Sequence, residues 1–399
     1  MSVPNEPRLA RRLARALLRP RFQVVMLIWV MALVGLFYFP DPGGFGIDAH
    51  VYRNALENML AGRPAYLAPD PDATAISSGR GIYFFPPPPA AILGGAVARL
   101  PYGVGLWLIV GAIAVGLAFV LMRRETASVP EFRAAVGAGA AALLAPLAWL
   151  LFQPALQAVL YGNQQSVLLL FAVIFATGIL RQRPRWVGVG LGLSILLKPA
   201  PVLFLAPLIV ARRWRDVGWT LAVAGVGGAL SLLVVGVVPW LDFVHAVLGG
   251  ANLVATQGYD MAPLAPWFPA VPQLAWVGLT GLGMAAAGRL PPRAMVVVAI
   301  AVFLLGWPVQ WLSYGTIALP AMALLLPDRR LRLVLATAYI LFQVYWRIAW
   351  LPAALILIAA AVRPDLVGRA QDAIAGWLAG PSPSGSPARA APPGPAAPG

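Results

Sequence analysis

The chain has 399 residues, of which 60% are hydrophobic and only 11% are charged, whereas soluble domains have about 25% charged residues. Such a chain cannot bury its apolar residues in an aqueous core, so the composition excludes a soluble globule and predicts an all-α polytopic membrane protein. The absence of cysteine excludes disulfides and thiolate chemistry, and two isolated histidines, His50 and His245, leave little room for a histidine-rich metal site.

The chain opens with a basic segment, residues 1–23, followed by the apolar run Val24–Pro40. This run is long for the apolar part of a signal peptide, and it lacks a small-x-small cleavage site. We therefore expect it to be retained as the first membrane helix of a transmembrane domain over residues 24–362, with the N-terminus in the cytoplasm.

Further apolar runs follow, each of spanning length or close to it. They are Gly105–Met122, Ala134–Phe152, Val167–Leu180, Val217–Pro239, Leu274–Ala287, Ala294–Gly306, Thr316–Pro327, Leu333–Tyr345 and Leu351–Val362. If every arginine cluster between these runs lies in the cytoplasm, 23 of the 29 lysines and arginines are on that side. This asymmetry is typical of a multi-pass plasma-membrane protein with both termini inside, and it explains the net charge of +15 without a nucleic-acid partner.

One segment, residues 186–211, is too long for a loop and too short for two spans. Arg185 and Arg212 bound it on the same side, and two helices of about 12 residues reach only about 18 Å across a core of about 30 Å. We therefore predict a short hairpin that turns at Lys198, at a depth reached from the outer side. With the hairpin counted, the chain has about 10–12 transmembrane segments.

The first outer loop, residues 41–103, contains an amphipathic pattern over Asp48–Leu60 with Val51, Ala55, Leu56, Met59 and Leu60 on one face. It predicts a helix on the outer leaflet. The stretch "YFFPPPPAAIL" predicts a second surface or re-entrant element. Asp48 is either the N-cap of the surface helix or a general base at the membrane face.

Other polar residues near the outer face have two interpretations each. Lys198, the only lysine in the sequence, is either a snorkelling side chain or a compact ammonium for a phosphate. Asn163 and Gln165 in "YGNQQS" either cap a helix or bind sugar hydroxyls. Tyr314 is either an aromatic-belt residue or a site residue, and Arg347 contacts either lipid headgroups or substrate.

The acidic residues distinguish between classes of membrane protein. No Asp or Glu lies well inside a predicted span, whereas a proton-coupled transporter usually needs one near the midplane. The pattern favours an enzyme that acts on a lipid-linked phosphate from the outer side. A flippase for lipid-linked glycans is the alternative, and a structural partner in a cell-wall complex is a third possibility.

Four segments in order resemble glycosyltransferase family 87, a family of polytopic GT-C enzymes that includes polyprenyl-phosphate-mannose-dependent α-mannosyltransferases. The opening "DAHVYRNALENMLAGRPAYL" is similar to the family's Asp-x-x-Val-Tyr motif, and "YFFPPPPAAIL" to its Phe-x-Tyr-x-Pro-Pro element. The core "YGNQQS" to "LLKPAP" resembles Gly-Gln-x-Asn followed by Lys-Pro. In "WLSYG", Ser313 stands where the family has histidine.

The resemblance implies a GT-C-like bundle and an inverting transfer of a hexose, with mannose the best-known sugar, from a polyprenyl-phosphate donor to a glycolipid or glycan acceptor. Asp48 would be the catalytic base. The candidate substrate-binding residues are Lys198, Tyr52, Arg53, Asn163, Gln165, Tyr314 and Arg347. With no metal-ligand cluster in the sequence, we expect no metal or other cofactor, and membrane lipids as the surroundings. Residues 363–399 are expected to form a cytoplasmic, Pro/Gly/Ala-rich disordered tail.

Overall fold

A computed structural model describes residues 46–65, 86–126, 149, 152–246, 273–307, 312–343 and 347–379. Across these residues the chain is helical and contains no strand, which confirms the predicted all-α class. The predicted first span, Val24–Pro40, lies outside the described residues. So do most of the run Ala134–Phe152 and the chain from residue 380 onward.

Fourteen α-helices can be named within this part of the chain. They are α1 Ile47–Leu60, α2 Pro88–Ala98, α3 Gly103–Thr126, α4 Gln153–Leu160, α5 Gln165–Leu180, α6 Pro184–Leu197, α7 Leu205–Val210, α8 Trp214–Val235, α9 Gln273–Ala287, α10 Pro292–Gly306, α11 Ala318–Leu325, α12 Arg332–Gln343, α13 Arg347–Val362 and α14 Pro364–Ala379. Short 3-10 helices cover Ala200–Phe204, Leu312–Ile317 and Arg329–Leu331. A further short helix lies at 238–246.

Two helices are long and apolar enough to cross a membrane by themselves, Gly103–Met122 within α3 and α8. Ala349–Val362 and Pro364–Gln371 pass the same test only as a pair bent by 116°. Most other apolar helices have 10–17 residues, which is shorter than the roughly 20 residues of a full span. The described residues therefore form an all-α membrane protein in which many apolar segments are short or broken.

The segment between α5 and α8 turns back on itself at Lys198. Lysine before proline is restricted to extended backbone, and Lys198 has φ −154° and ψ 120°, so it ends α6. At the other end, Arg213 pairs with Asp216 at the start of α8, and its guanidinium donates to the Ile179 carbonyl of α5 at 3.4 Å. The start of α6 and the end of α7 thus lie at the same arginine-rich end, with Lys198 at the opposite end.

The hairpin packs tightly because α6 presents glycines to both neighbours. A Cβ on Gly190 would lie 2.6 Å from the Phe171 carbonyl oxygen of α5, and one on Gly192 would lie 2.9 Å from the Thr220 carbonyl oxygen of α8. Small residues that let helix backbones approach are the usual packing device of membrane helices. They fix α6, and with it Lys198, against α5.

A second, smaller cluster covers the Lys198 end of the bundle. Here α1 packs on α2, and both lie over the ends of α3, α5 and α6 through Ala49, Tyr52, Trp107, Val167 and Leu197. The predicted helix over Asp48–Leu60 is therefore present. Four of its five predicted apolar residues are buried, and only Leu60 is exposed.

The start predicted for the disordered tail was wrong. Residues 364–379, predicted to belong to a disordered tail, form α14 and pack against Arg330. The stretch "PDLVGRAQDAIAGWLA" contains few helix breakers, with proline at the favoured first position. The Pro/Gly-rich composition begins only at Gly380.

Candidate functional site

The first turn of α1 is fastened to the turn that joins α4 to α5. The Gly46 N–H donates to the Leu160 carbonyl and the Asp48 N–H to the Tyr161 carbonyl, each at 2.9 Å. Gly162 makes this approach possible, because its φ of +68° suits glycine and a Cβ there would lie 3.1 Å from the Ala49 Cβ. Two segments far apart in sequence thereby meet at Asp48.

Asp48 is buried, with 5% of its surface exposed, and its carboxylate faces the same turn. The Asn163 Nδ2 donates to Asp48 Oδ2 at 2.6 Å, and the Asn163 Oδ1 accepts from the Gln165 N–H at 2.9 Å. The N-cap position of α1 is Gly46, with no side-chain cap. The N-cap interpretation of Asp48 was therefore wrong, and its carboxylate is directed to tertiary contacts.

Asn163 makes the helix-capping contact that was one of its two predicted roles, and a contact with Asp48 that was not predicted. Its oxygen bonds the first N–H of α5, as a helix cap does, while its N–H group bonds Asp48. Both ends of the amide thus have protein partners.

Tyr52, a predicted substrate-binding residue, is fully buried. Its hydroxyl accepts from the Gln164 N–H at 3.1 Å, and its ring meets Trp107 edge-on at a centroid distance of 6.0 Å. A Cβ on Gly94 would lie 2.8 Å from the Tyr52 ring. The side chain therefore ties α1 to α2 and to the start of α5.

Lys198 reaches the same region from the end of α6. Its Nζ lies 3.7 Å from the centre of the Tyr314 ring, a cation–π contact. The Asp48 carboxylate is close enough to attract its charge. The side chain thus points into the protein, which contradicts the snorkelling interpretation.

Tyr314 is buried, with 6% of its surface exposed, and it lies in the 3-10 helix Leu312–Ile317. Its ring stacks on Phe303, which in turn stacks on Trp307. A lipid-facing belt residue would be exposed in the described structure, so the aromatic-belt interpretation was wrong. Ser313, which precedes Tyr314, is also buried.

A cavity of about 40 Å³ extends from Lys198 into the bundle. Its walls are mostly apolar and include Leu168, Phe175, Leu191, Phe204, Ile300 and Phe303. Gln165 lines the polar end together with Lys198, and its Nε2 is buried without a hydrogen-bond partner. A buried donor without a partner is costly, so this amide is suited to meet a ligand group.

Arg53 and Arg347 are the remaining predicted substrate-binding residues. Arg53 is partly exposed on α1. Burial and, to a lesser extent, the Arg53 charge lower the pKa of His50, so the imidazole stays neutral and Arg53 is the cation of that turn. Arg347 begins α13, and its side chain is outside the described structure.

The structure therefore brings together Asp48, Asn163, Gln165, Lys198 and Tyr314. Across the described residues, no group of three or more His, Asp or Glu side chains could hold a metal ion. Lys198, Gln165 and Tyr314 line a mostly apolar cavity, and the buried Asp48 carboxylate is linked to Gln165 through Asn163. Such a set can accept a proton and bind an anion that has an apolar tail.

Sequence reasoning missed the contacts that hold this cluster. Trp107 donates from its indole N–H to the Gly162 carbonyl at 2.7 Å, and Phe303 supports Tyr314. Neither could be assigned, because the partners are far apart in sequence. The signal that was available is Gly162, since a glycine before an amide cluster indicates a turn with left-handed backbone.

Comparison with known proteins gives one match. The family model of glycosyltransferase family 87 matches residues 84–327, a range that contains Asn163, Gln165, Lys198 and Tyr314 and begins after Asp48. No curated protein and no solved structure matches the chain.

Proposed function

Because this chain belongs to glycosyltransferase family 87, we propose that it transfers a hexose, mannose foremost, from a polyprenyl-phosphate donor to a lipid- or glycan-linked hydroxyl. The reaction takes place at the extracytoplasmic face of the plasma membrane. The observation that supports this most is the turn at residues 163–165, which joins Asp48, bonded by Asn163, to a mostly apolar cavity that Gln165 and Lys198 line.

Asp48 is the general base of this proposal. The acceptor oxygen attacks the anomeric carbon, the bond from that carbon to the phosphate oxygen breaks, and Asp48 takes the proton of the hydroxyl. Configuration at the anomeric carbon inverts. The polyprenyl phosphate leaves with little need for protonation, so one carboxylate suffices where glycoside hydrolysis uses two.

Lys198 stabilises the negative charge that develops on the leaving phosphate. Its place at the polar end of the cavity supports this role, because a phosphate there would have the ammonium on one side and the unpartnered Gln165 Nε2 on another. The apolar walls beyond would receive the first isoprene units of the donor. Charge stabilisation by Lys198 takes the place of a metal ion, so the proposed reaction is metal-independent.

The test is transfer by the purified protein in lipid nanodiscs, with a radiolabelled polyprenyl-phosphate mannose and a glycolipid acceptor fraction. We expect a labelled glycolipid product at an undiminished rate in excess EDTA. Donor binding without product would contradict the transferase. Movement of labelled donor across a vesicle membrane without product would establish the flippase instead.

A further inference from the structure

The amide of Asn163 is held in one orientation by the helix that follows it. Its Oδ1 accepts from the Gln165 N–H at 2.9 Å, at the first residue of α5. The Nδ2 must then face the other way, and it donates to Asp48 Oδ2 at 2.6 Å. The backbone at the start of α5 thus orients the Asn163 amide so that its N–H group, and not its oxygen, faces Asp48.

We propose that Asn163 is a positioning residue that fixes the orientation of the Asp48 carboxylate and keeps it ionised. This inference rests on the proposed function of Asp48 as base. A hydrogen bond to a charged group is stronger than a neutral one. It is needed here because Asp48 is 5% exposed, so little water reaches the carboxylate to stabilise its charge.

The pH dependence of the Asp48 carboxylate also depends on the other charged or titratable groups around it. On α1 these are His50, Tyr52, Arg53 and Glu57. The other elements contribute Tyr161 in the turn, Lys198 at the end of α6, and Tyr314 against Lys198.

Asn163→Asp separates positioning from capping. The new carboxylate keeps an oxygen for the Gln165 N–H, since aspartate is a good cap, but it loses the donor and places a second negative charge beside Asp48. We expect kcat to fall about 10-fold or more with the KM for donor little changed. The acidic limb of the pH–activity profile should move to higher pH.

A second variant and a control keep the test independent of folding. Asn163→Ser retains a capping hydroxyl that is too short to reach Asp48, so kcat should fall without the added charge effect. Ser166→Ala removes only the 3.0 Å hydrogen bond from Ser166 Oγ to the Asn163 carbonyl, and it should leave kcat and the pH profile unchanged. Wild-type kcat and an unmoved profile in folded Asn163→Asp would overturn the proposal.

A readout without transfer distinguishes failure of this inference from failure of the proposed function. Dicyclohexylcarbodiimide modifies protonated carboxyl groups, and mass spectrometry of the Asp48 peptide follows the reaction against pH. In Asn163→Asp we expect labelling of Asp48 to extend to higher pH than in the wild type. If the labelling shifts in this way but the wild-type protein shows no transfer, the transferase is refuted and the positioning role is sustained. An identical labelling profile would refute the positioning role even if transfer occurs.

Discussion

The ammonium of Lys198 lies 3.7 Å from the centre of the Tyr314 ring, so the only lysine of the chain is held by an aromatic face. Lys198 follows α6, and Tyr314 lies in a 3-10 helix more than a hundred residues later. The contact fixes the position of Nζ over the ring. It thereby holds Lys198 at the wall of the cavity, where the proposed function places the donor phosphate.

Replacing Tyr314 tests this support. Tyr314→Phe keeps the ring and should leave the KM for donor close to that of the wild type. Tyr314→Leu removes a contact of about 0.5–2 kcal/mol, so we expect the KM for donor to rise about 2- to 30-fold. The measurement is initial rate against donor concentration in nanodiscs, and equal effects of the two variants would show that the ring does not hold Lys198.

Replacing Lys198 tests the phosphate contact itself. Lys198→Met removes a charge-assisted bond of about 1.5–3 kcal/mol, so donor affinity should fall about 10- to 150-fold. Lys198→Arg should recover only part of the donor affinity, because the guanidinium keeps the charge but is planar and differs in shape from the ammonium. Arg99→Met is the control, since this half-exposed cation pairs with Glu57 at 3.9 Å on α1. Unchanged donor Kd in Lys198→Met would exclude the phosphate role.

Two glycines with left-handed backbone form a matched pair for stability. Gly162 has φ +68° and Gly62 has φ +66°, but a Cβ on Gly162 would lie 3.1 Å from the Ala49 Cβ, whereas one on Gly62 would meet nothing within 4 Å. Alanine costs roughly 1–2 kcal/mol for the backbone at either position.

Only Gly162→Ala should also displace α1. We expect a clearly lower Tm than for Gly62→Ala, together with a loss of transfer. Tryptophan fluorescence during heating in detergent measures Tm, and the nanodisc assay measures transfer. Equal Tm values for the two variants would refute the close approach of α1 to the 161–164 turn.

Filling the cavity tests where the donor tail lies. Ala172 lines the cavity from α5 and is partly buried, so Ala172→Phe places a ring in the space assigned to the first isoprene units. We expect a higher KM for a long-chain polyprenyl-phosphate mannose and a smaller change for a short-chain analogue. The short-chain donor is the internal control, because general damage from overpacking would affect both donors alike.

Local chemistry made parts of this site predictable. Arg185 and Arg212 on the same side required a hairpin, and Pro199 required the preceding Lys198 to leave the helix. The apolar period after Asp48 predicted α1, which the structure has at Ile47–Leu60. These features depend on neighbours in sequence or on the thickness of a bilayer.

The contacts that complete the site depend on tertiary packing and could not be predicted. Asn163 faces Asp48 because Gly162 allows α1 to approach. Tyr52 resembles a site residue by its position in a motif, but it is buried between α1 and α2. Sequence patterns give the period of a helix and its ends, whereas the partner of a polar side chain depends on which helices meet.

The central claim is that the Asp48 carboxylate removes a proton from the acceptor. Asp48→Asn keeps the size of the side chain and replaces the base with an amide, so it isolates the chemistry from packing. Donor affinity, measured by equilibrium binding of labelled polyprenyl-phosphate mannose, serves as the control for folding and for the Lys198 end of the site.

Single-turnover transfer in nanodiscs, compared between the wild type and Asp48→Asn at saturating donor, is the most direct measurement. We expect the rate of product formation to fall about 10²- to 10⁴-fold, with donor Kd within a few-fold of the wild type. A rate in Asp48→Asn equal to that of the wild type, with the donor bound normally, would contradict it.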